Sequence, residues 1–224
     1  MNPVSRETVP RGSINDRPTR TALGAGGFQR LTHVSCETLE RLEAYVALLK
    51  QWNRRINLVG GNTLGDPWRR HILDSAQLLP HVPQKARVLV DLGSGAGLPG
   101  LILAILGAPQ VHLVEADQRK AVFLREAVRV TGVSATIHAT RAERLKLTAD
   151  VVTARAVAPL PDLLDLAAPF LGPHSVALFL KGRTAREELT LAEKSWTMGS
   201  RLLPSSTEPG GMLLILEAIT RNPQ

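Results

Sequence analysis

The sequence predicts an α/β fold: a doubly wound, mostly parallel sheet, closed by an antiparallel C-terminal hairpin and preceded by a helical N-terminal cap. Three observations predict it. From residue 87 onward, short apolar runs alternate with segments of helical periodicity, the pattern of parallel strands joined by crossover helices. One run, Val88-Leu89-Val90-Asp91-Leu92, passes directly into Gly93-Ser94-Gly95-Ala96-Gly97-Leu98-Pro99-Gly100 and a second apolar run. That order reads as a buried strand, a loop almost without side chains, and a helix. Towards the end the alternation stops, and two apolar stretches around 198–203 and 211–219 follow each other with no helix between them.

Residues 1–34 are rich in Pro, Gly, Arg, Ser and Thr and lack apolar periodicity, so they read as a flexible basic arm. Ser35 is a plausible N-cap for a helix to about Asn57, with Leu39, Leu42, Val46, Leu49, Trp52 and Ile56 on one face. A Gly-Gly-Asn loop follows at 60–62, and Asp66-Pro67 starts a second helix ending near Pro80, with Pro67 at the first helical position. Beyond it the expected order is strand 87–92, helix 98–107, strand 110–115, helix 118–131, strand 134–139, strand 150–154, helix 160–171, strand 175–181 and helix 184–195. Residues 35–224 thus read as one domain, with a cap over 35–82 and a Rossmann-like core over 83–224.

Composition narrows the function. The chain has 224 residues with 44% apolar content, enough for a substantial core. Cys36 is the only cysteine, which excludes an internal disulfide and cannot by itself build a zinc site, so a cytoplasmic protein without metal is expected. No apolar run is long enough to span a bilayer, and no charged start followed by an apolar stretch suggests secretion. A monomer is expected. The net charge is +7, and residues 1–35 carry five Arg against Glu7 and Asp16. Such an excess fits a polyanionic partner, nucleic acid above all, or else a surface charge that sets solubility.

The glycine loop satisfies G-x-G-x-x-G, which alone is a weak signal. In dinucleotide enzymes the motif brings bare amides to a pyrophosphate. Here Asp91 stands two residues before Gly93, a poor neighbour for a doubly charged anion. It suits a ligand with positive centres, and S-adenosyl-L-methionine has two, its sulfonium and its amino group. Glu115 ends the next apolar run, 24 residues after Asp91, near the spacing expected for a carboxylate that accepts from ribose hydroxyls. The alternative is two exposed acids at strand ends.

Other residues fall at the same rim. Arg155 ends the fourth strand, facing the cleft beyond the carboxyl ends of the sheet, where it holds a carboxylate or a phosphate, or pairs with an acid such as Glu143. Lys181 ends the fifth strand, as a phosphate contact or a surface lysine. His71 and Asp74, three apart, share a helical face and either join cap to sheet or shape a base pocket. Trp52 continues the apolar stripe, and Asn53 either satisfies backbone or reads a base edge. Arg54, Arg55, Arg69 and Arg70 offer cations for an RNA backbone. Aromatic content is only 4%, too low for a stacking platform, so RNA binding is expected to be electrostatic and salt-dependent.

Leu48-Leu49-Lys50-Gln51-Trp52-Asn53 with Ile56-Asn57-Leu58, Arg70-His71-Ile72-Leu73-Asp74-Ser75, and the Asp91–Gly100 loop resemble the bacterial ribosomal RNA small subunit methyltransferase G family, also described as glucose-inhibited division protein. Phe123-Leu124, Arg141-Ala142-Glu143, Ala154-Arg155-Ala156 and Lys181-Gly182 extend the likeness in order from Thr38 to Gly182. The resemblance implies methyl transfer from S-adenosyl-L-methionine to N7 of a guanine in 16S ribosomal RNA, as free RNA or in the small ribosomal subunit. It also implies that Gly93 and Leu98 line the cofactor pocket, with Ser94, Gly95 and Gly97 in the same loop. Ala142 and Glu143 would flank the adenine, and Arg155 would stand at the mouth. Ala116 and Arg119-Lys120 depart from the family pattern after the second strand.

Guanine N7 carries an in-plane lone pair and no proton, so alignment alone suffices and no general base is expected. Pyrimidine carbon-5 methylation needs a nucleophilic cysteine, and Cys36 lies outside the core. Adenine-amine methylation usually shows an Asn-Pro-Pro-aromatic loop where this chain has Ala154-Arg155-Ala156-Val157-Ala158-Pro159. Two other classes remain: an NAD(P)-dependent oxidoreductase, for which hydride machinery is missing, and a non-catalytic RNA-binding or ribosome-assembly factor.

Overall fold

The computed structural model describes residues 22–223. Seven strands form one sheet in the order β3-β2-β1-β4-β5-β7-β6. They are β1 (Val88–Leu92), β2 (Gln110–Val114), β3 (Ala135–His138), β4 (Ala149–Arg155), β5 (Leu171–Lys181), β6 (Trp196–Pro204) and β7 (Met212–Arg221). The first five pair in parallel, and β7 runs antiparallel between β5 and β6. The expected closing hairpin is therefore present, with its second strand inserted next to β5. Strand order reverses between β1 and β4, which opens the crevice at their carboxyl ends where doubly wound sheets bind ligands.

Helices α4 (Gly100–Ile105), α5 (Gln118–Thr131), α6 (Leu160–Ala167) and α7 (Ala185–Ala192) cross between strands. Asp117 caps α5 by accepting from Arg119 and Lys120 amides, and Gly132 ends it in the left-handed region at φ +63°. α6 stops at Ala167 and yields to a short 3-10 turn, because Pro169 stands where the expected helix to 171 would continue.

The cap contains α1 (Ala25–Thr32), α2 (Cys36–Trp52), a π-helical turn Trp68–Leu73 and α3 (Asp74–Ala76). Two expectations are corrected here. The arm does not extend to residue 34: α1 buries Phe28 completely and tilts it against Trp68, ring centroids 5.6 Å apart, while the Leu23 amide donates to Asp66. The rest of the expected arm, residues 1–21, lies outside the described residues. The second expected helix starts at Asp66-Pro67 as read, but winds as a π turn over 68–73 before one short α turn, a form often found at functional sites. Cap and sheet share one apolar core, which runs from Phe28, Leu42 and Leu49 to Leu89, Leu101 and Leu124. Among the described residues no helix is long and apolar enough to cross a membrane.

Candidate active site

The glycine loop is folded by contacts its sequence makes possible. Gly93 sits at φ +59°, and a Cβ there would lie 2.8 Å from Val157 Cγ2. At Gly100 a Cβ would fall 2.5 Å from the Cβ of Asp91, so only glycine lets α4 start this close to β1. Ser94 Oγ donates to the Asp91 carbonyl, and Tyr45 Oη reaches up from α2 to donate to the Ala96 carbonyl at 2.8 Å. Tyr45 is fully buried, which raises its phenol far above the usual value. Tyr45→Phe leaves a buried carbonyl without its donor, and we expect a loss of about 1–2 kcal/mol in urea denaturation.

Asp91 differs from its expected place. It is fully buried beneath the loop, its Oδ1 accepting from Thr153 Oγ1 at 2.7 Å, rather than facing the cavity. Burial pushes its carboxyl up to about 6. Glu115 stands at the neighbouring strand end, where Oε2 accepts from the Gly95 amide and Oε1 from the Asp117 amide, both at 2.8 Å. Each oxygen keeps a further lone pair for a hydroxyl.

Above the loop lies a cavity of about 270 Å³ bounded by Gly93, Ser94, Gly95, Ala96 and Leu98, with Leu58, Val59 and Lys120 opposite. The walls combine bare backbone and the apolar Leu58, Val59 and Leu98 with the polar Thr63, His71, Lys120 and Arg155, and Asp91 and Glu115 lie just behind the loop, a setting that fits a cofactor with apolar, polar and positively charged parts. Gly97 is buried in the turn behind this wall. Ala116 and Glu143 are exposed and Ala142 half-buried, at the rim beyond β2 and β3, and none of them bounds this cavity.

Arg155 leaves β4 between this cavity and a larger one of about 460 Å³. Its guanidinium does not pair with Glu143. Nη1 pairs with Asp74 Oδ2 at 3.1 Å, and Nη2 lies 3.2 Å from His71 Nδ1. An arginine only donates, so His71 Nδ1 is the acceptor. Its Nε2 lies 2.8 Å from Thr63 Oγ1, whose own proton goes to the Gly60 carbonyl at 2.6 Å. The chain of donors therefore runs from Arg155 through His71 and Thr63 to Gly60, and fixes the Nε2–H tautomer. His71 and Asp74 do belong together, as expected from their spacing, but they meet through Arg155.

Burial, with Arg155 and Arg70 nearby, lowers His71 to about 3 from the usual 6.5. The unfolded chain takes up this proton more readily, so stability present above pH 6.5 is lost as pH falls towards 3. Asp91 acts in the opposite sense, since its raised value favours the folded state as pH falls from 6 to 3.8. The histidine shift is the larger. We therefore expect net destabilisation below pH 6.5 in denaturant titrations, with ring nitrogen shifts showing neutral Nε2–H imidazole at pH 5.

Lys181 is neither a surface lysine nor open to a phosphate. Its side chain is buried, donates to the Ala158 carbonyl at 2.8 Å and pairs with Glu188 Oε2 at 2.5 Å. Glu188 also accepts from the Leu160 amide and Thr184, so the pair pins the loop after β4. Asn53 is engaged with backbone: Oδ1 accepts from the Leu58 and Val59 amides and Nδ2 donates to the Val59 carbonyl. Arg69 pairs with Asp66 and Arg70 with Glu208, so neither is the open cation expected. Arg54 and Arg55 are exposed and make no ion pair among the described residues.

Sequence reasoning missed the turn between β6 and β7. Thr207 Oγ1 donates to Asp74 Oδ1, and Gln77 bonds Ser205 and Ser206, so this turn is latched to the cap and bounds the larger cavity. Its partners lie more than 120 residues away in sequence, and only the run of Ser and Thr hints at them. Among the described residues no group of three or more His, Cys, Asp or Glu is placed to hold a metal.

A parallel sheet with its last strand reversed, and a glycine loop over a buried acid at the switch point, define the Rossmann-like methyltransferase fold. A putative O-methyltransferase from Klebsiella pneumoniae superposes with TM-score 0.55 at 16% identity, covering 85% of this chain and 93% of that one. M. jannaschii TYW2, solved in complex with AdoMet, superposes at 0.54 with 19% identity over 74% of this chain and 78% of that one. The model for rRNA small subunit methyltransferase G matches residues 38–208. Proteins of that name from Rhodospirillum centenum and Granulibacter bethesdensis are 57% and 49% identical, over 92% and 95% of this chain and 95% and 98% of theirs. The chain belongs to the rRNA small subunit methyltransferase G family. That membership favours methyl transfer over the oxidoreductase and non-catalytic readings.

Proposed function

We propose that this protein transfers a methyl group from S-adenosyl-L-methionine to N7 of a guanine in 16S ribosomal RNA. The observation that carries the reading is that the two cavities share only Arg155 and Ala156 in their walls. A donor held over the glycine loop and a base held in the larger cavity then meet across these two residues.

When bound, the donor supplies an electrophilic methyl, whose transfer breaks an S–C bond, forms an N–C bond and leaves the positive charge on the purine. Gly93, Gly95 and Leu98 hold the donor, with Asp91 stabilising it through the loop and Glu115 accepting from the ribose. Ala142 and Glu143, at the rim outside the donor cavity, flank the adenine where it extends past the loop, and Ala116 stands at the same rim. Arg155, fixed at its back by His71 and Asp74, directs a remaining N–H to guanine O6 and so sets N7 towards the donor side. Lys181 holds the loop after β4 against the base. No proton has to move, which agrees with a neutral His71 that already spends both nitrogens. Arg54 and Arg55 meet the RNA backbone. We read the protein as a cytoplasmic monomer acting on RNA or small subunits without metal.

The test is incorporation of labelled methyl into small subunits and into free 16S RNA, with NAD retention measured in parallel. Label in RNA and no NAD binding is the expected result. NAD binding without label contradicts it.

A further inference from the structure

We propose that Glu208 reads the Watson–Crick donor edge of the target guanine and thereby selects guanine over other bases. The inference rests on the base occupying the larger cavity. Three carboxylates line that cavity: Asp74, Glu188 and Glu208. Two of them are already committed. Asp74 accepts from Thr207 and Gln77 on Oδ1 and pairs with Arg155 on Oδ2. Glu188 accepts from Leu160, Lys181 and Thr184. Glu208 pairs with Arg70 alone, and its side chain remains 40% exposed.

Its backbone is held still and its Oε2 is buried against Arg70, while Oε1 stays open. The Glu208 amide donates to Ser205 Oγ at 3.3 Å, and its carbonyl accepts from the Gly211 amide at 2.9 Å. The adjoining Thr207 is locked onto Asp74. The turn between β6 and β7 thus presents a carboxylate from a fixed platform to a cavity whose other wall carries Arg155.

Guanine is the one RNA base with two adjacent, parallel donors, N1–H and N2–H, on its pairing edge, and the free Oε1 of Glu208, with its lone pairs and the carboxylate's charge, accepts from both. Adenine and cytosine place an acceptor where N1–H would be and set a lone pair against the anion. Uracil offers one donor between two carbonyls. With N1–H and N2–H at Glu208, O6 ends the same edge beside N1 and N7 lies beyond it, towards Arg155 in the wall shared with the donor cavity. Methylation at N7 makes the purine cationic and its N1–H more acidic, so the contact strengthens as the reaction proceeds.

The test pairs Glu208→Gln with an RNA carrying inosine, which lacks the N2 amine, at the position the wild-type protein methylates. Wild type is expected to transfer to inosine at least about 10-fold more slowly than to guanine, the scale of one lost charge-assisted hydrogen bond. Glu208→Gln is expected to be slower on guanine and to show no further loss on inosine, with unchanged S-adenosylmethionine affinity. If wild type treats inosine and guanine alike, or if Glu208→Gln slows both substrates by the same factor, the inference is overturned and Glu208 only latches the turn. Wild type transferring no methyl to unmodified RNA overturns the methyl-transfer reading as well.

Discussion

Arg155→Ala lowers kcat/KM for RNA methylation by at least about 100-fold, the cost of losing alignment at the reacting centre. Arg155, with Ala156, borders both cavities, and its guanidinium is fixed at two ends, to Asp74 at 3.1 Å and to His71 at 3.2 Å. Removing it takes away the donor to the base and frees the histidine that ties it to the loop at residues 60–63. Asp74 also loses its cation, so a loss of about 2 kcal/mol in stability accompanies the change. Arg155→Lys separates the two effects. One ammonium keeps a charge near Asp74 but cannot span the fork, so stability largely returns and the rate does not. Single-turnover transfer and denaturant unfolding on the two variants check both halves. A lysine variant with wild-type rate would make Arg155 a charge partner and nothing more.

Gly93→Asp lowers S-adenosylmethionine affinity by at least about 100-fold, a loss of roughly 3 kcal/mol, while the protein still folds, with about 1–2 kcal/mol lost to a side chain at a left-handed φ. The position is exposed at φ +59°, and a Cβ there comes within 2.8 Å of Val157 Cγ2. The added carboxylate therefore enters the cavity that the donor occupies, and the collision falls on a loop side chain rather than on the core. Gly100→Ala makes the contrast, because its Cβ would meet the buried Asp91 at 2.5 Å and Leu113 at 2.7 Å, so overpacking costs about 1–3 kcal/mol of stability. Titration calorimetry and thermal melts on the two variants distinguish a binding glycine from a packing glycine. Wild-type donor affinity in Gly93→Asp would contradict the placement of the cofactor over this loop.

What the sequence made legible was local. The parallel strands follow from apolar runs such as Val88–Leu92, and the loop follows from glycines whose positive φ or close approach nothing else allows. Ser35, read as an N-cap, announces its helix start by the side-chain bond it makes. Helix α1 was not legible, because Gly26 and Gly27 argue against a helix and only the burial of Phe28 against Trp68 outweighs them. The site was legible as a set of rim residues but not as a network. Arg155 chooses Asp74, not Glu143, because the π turn brings Asp74 across the crevice, and no local pattern encodes that crossing. Asp91 was read as a ligand contact from its place before the glycines, yet its strand position turns it beneath the loop, where Thr153 receives it. Lys181 was read as a phosphate contact or a surface lysine and is spent on the Ala158 carbonyl and Glu188, while of the two readings open for Asn53 the structure shows the one that satisfies backbone.

The measurement that bears most directly on the account is the map of the transferred methyl. Small subunits and free 16S RNA are treated with labelled S-adenosyl-L-methionine and the protein, and the RNA is then cleaved by chemistry specific for 7-methylguanine. The account predicts cleavage at one guanine, carrying the label, and its disappearance with Arg155→Ala. Label at an amine, a ring carbon or a ribose oxygen, or no label despite measurable donor binding, would contradict the alignment of N7 across Arg155.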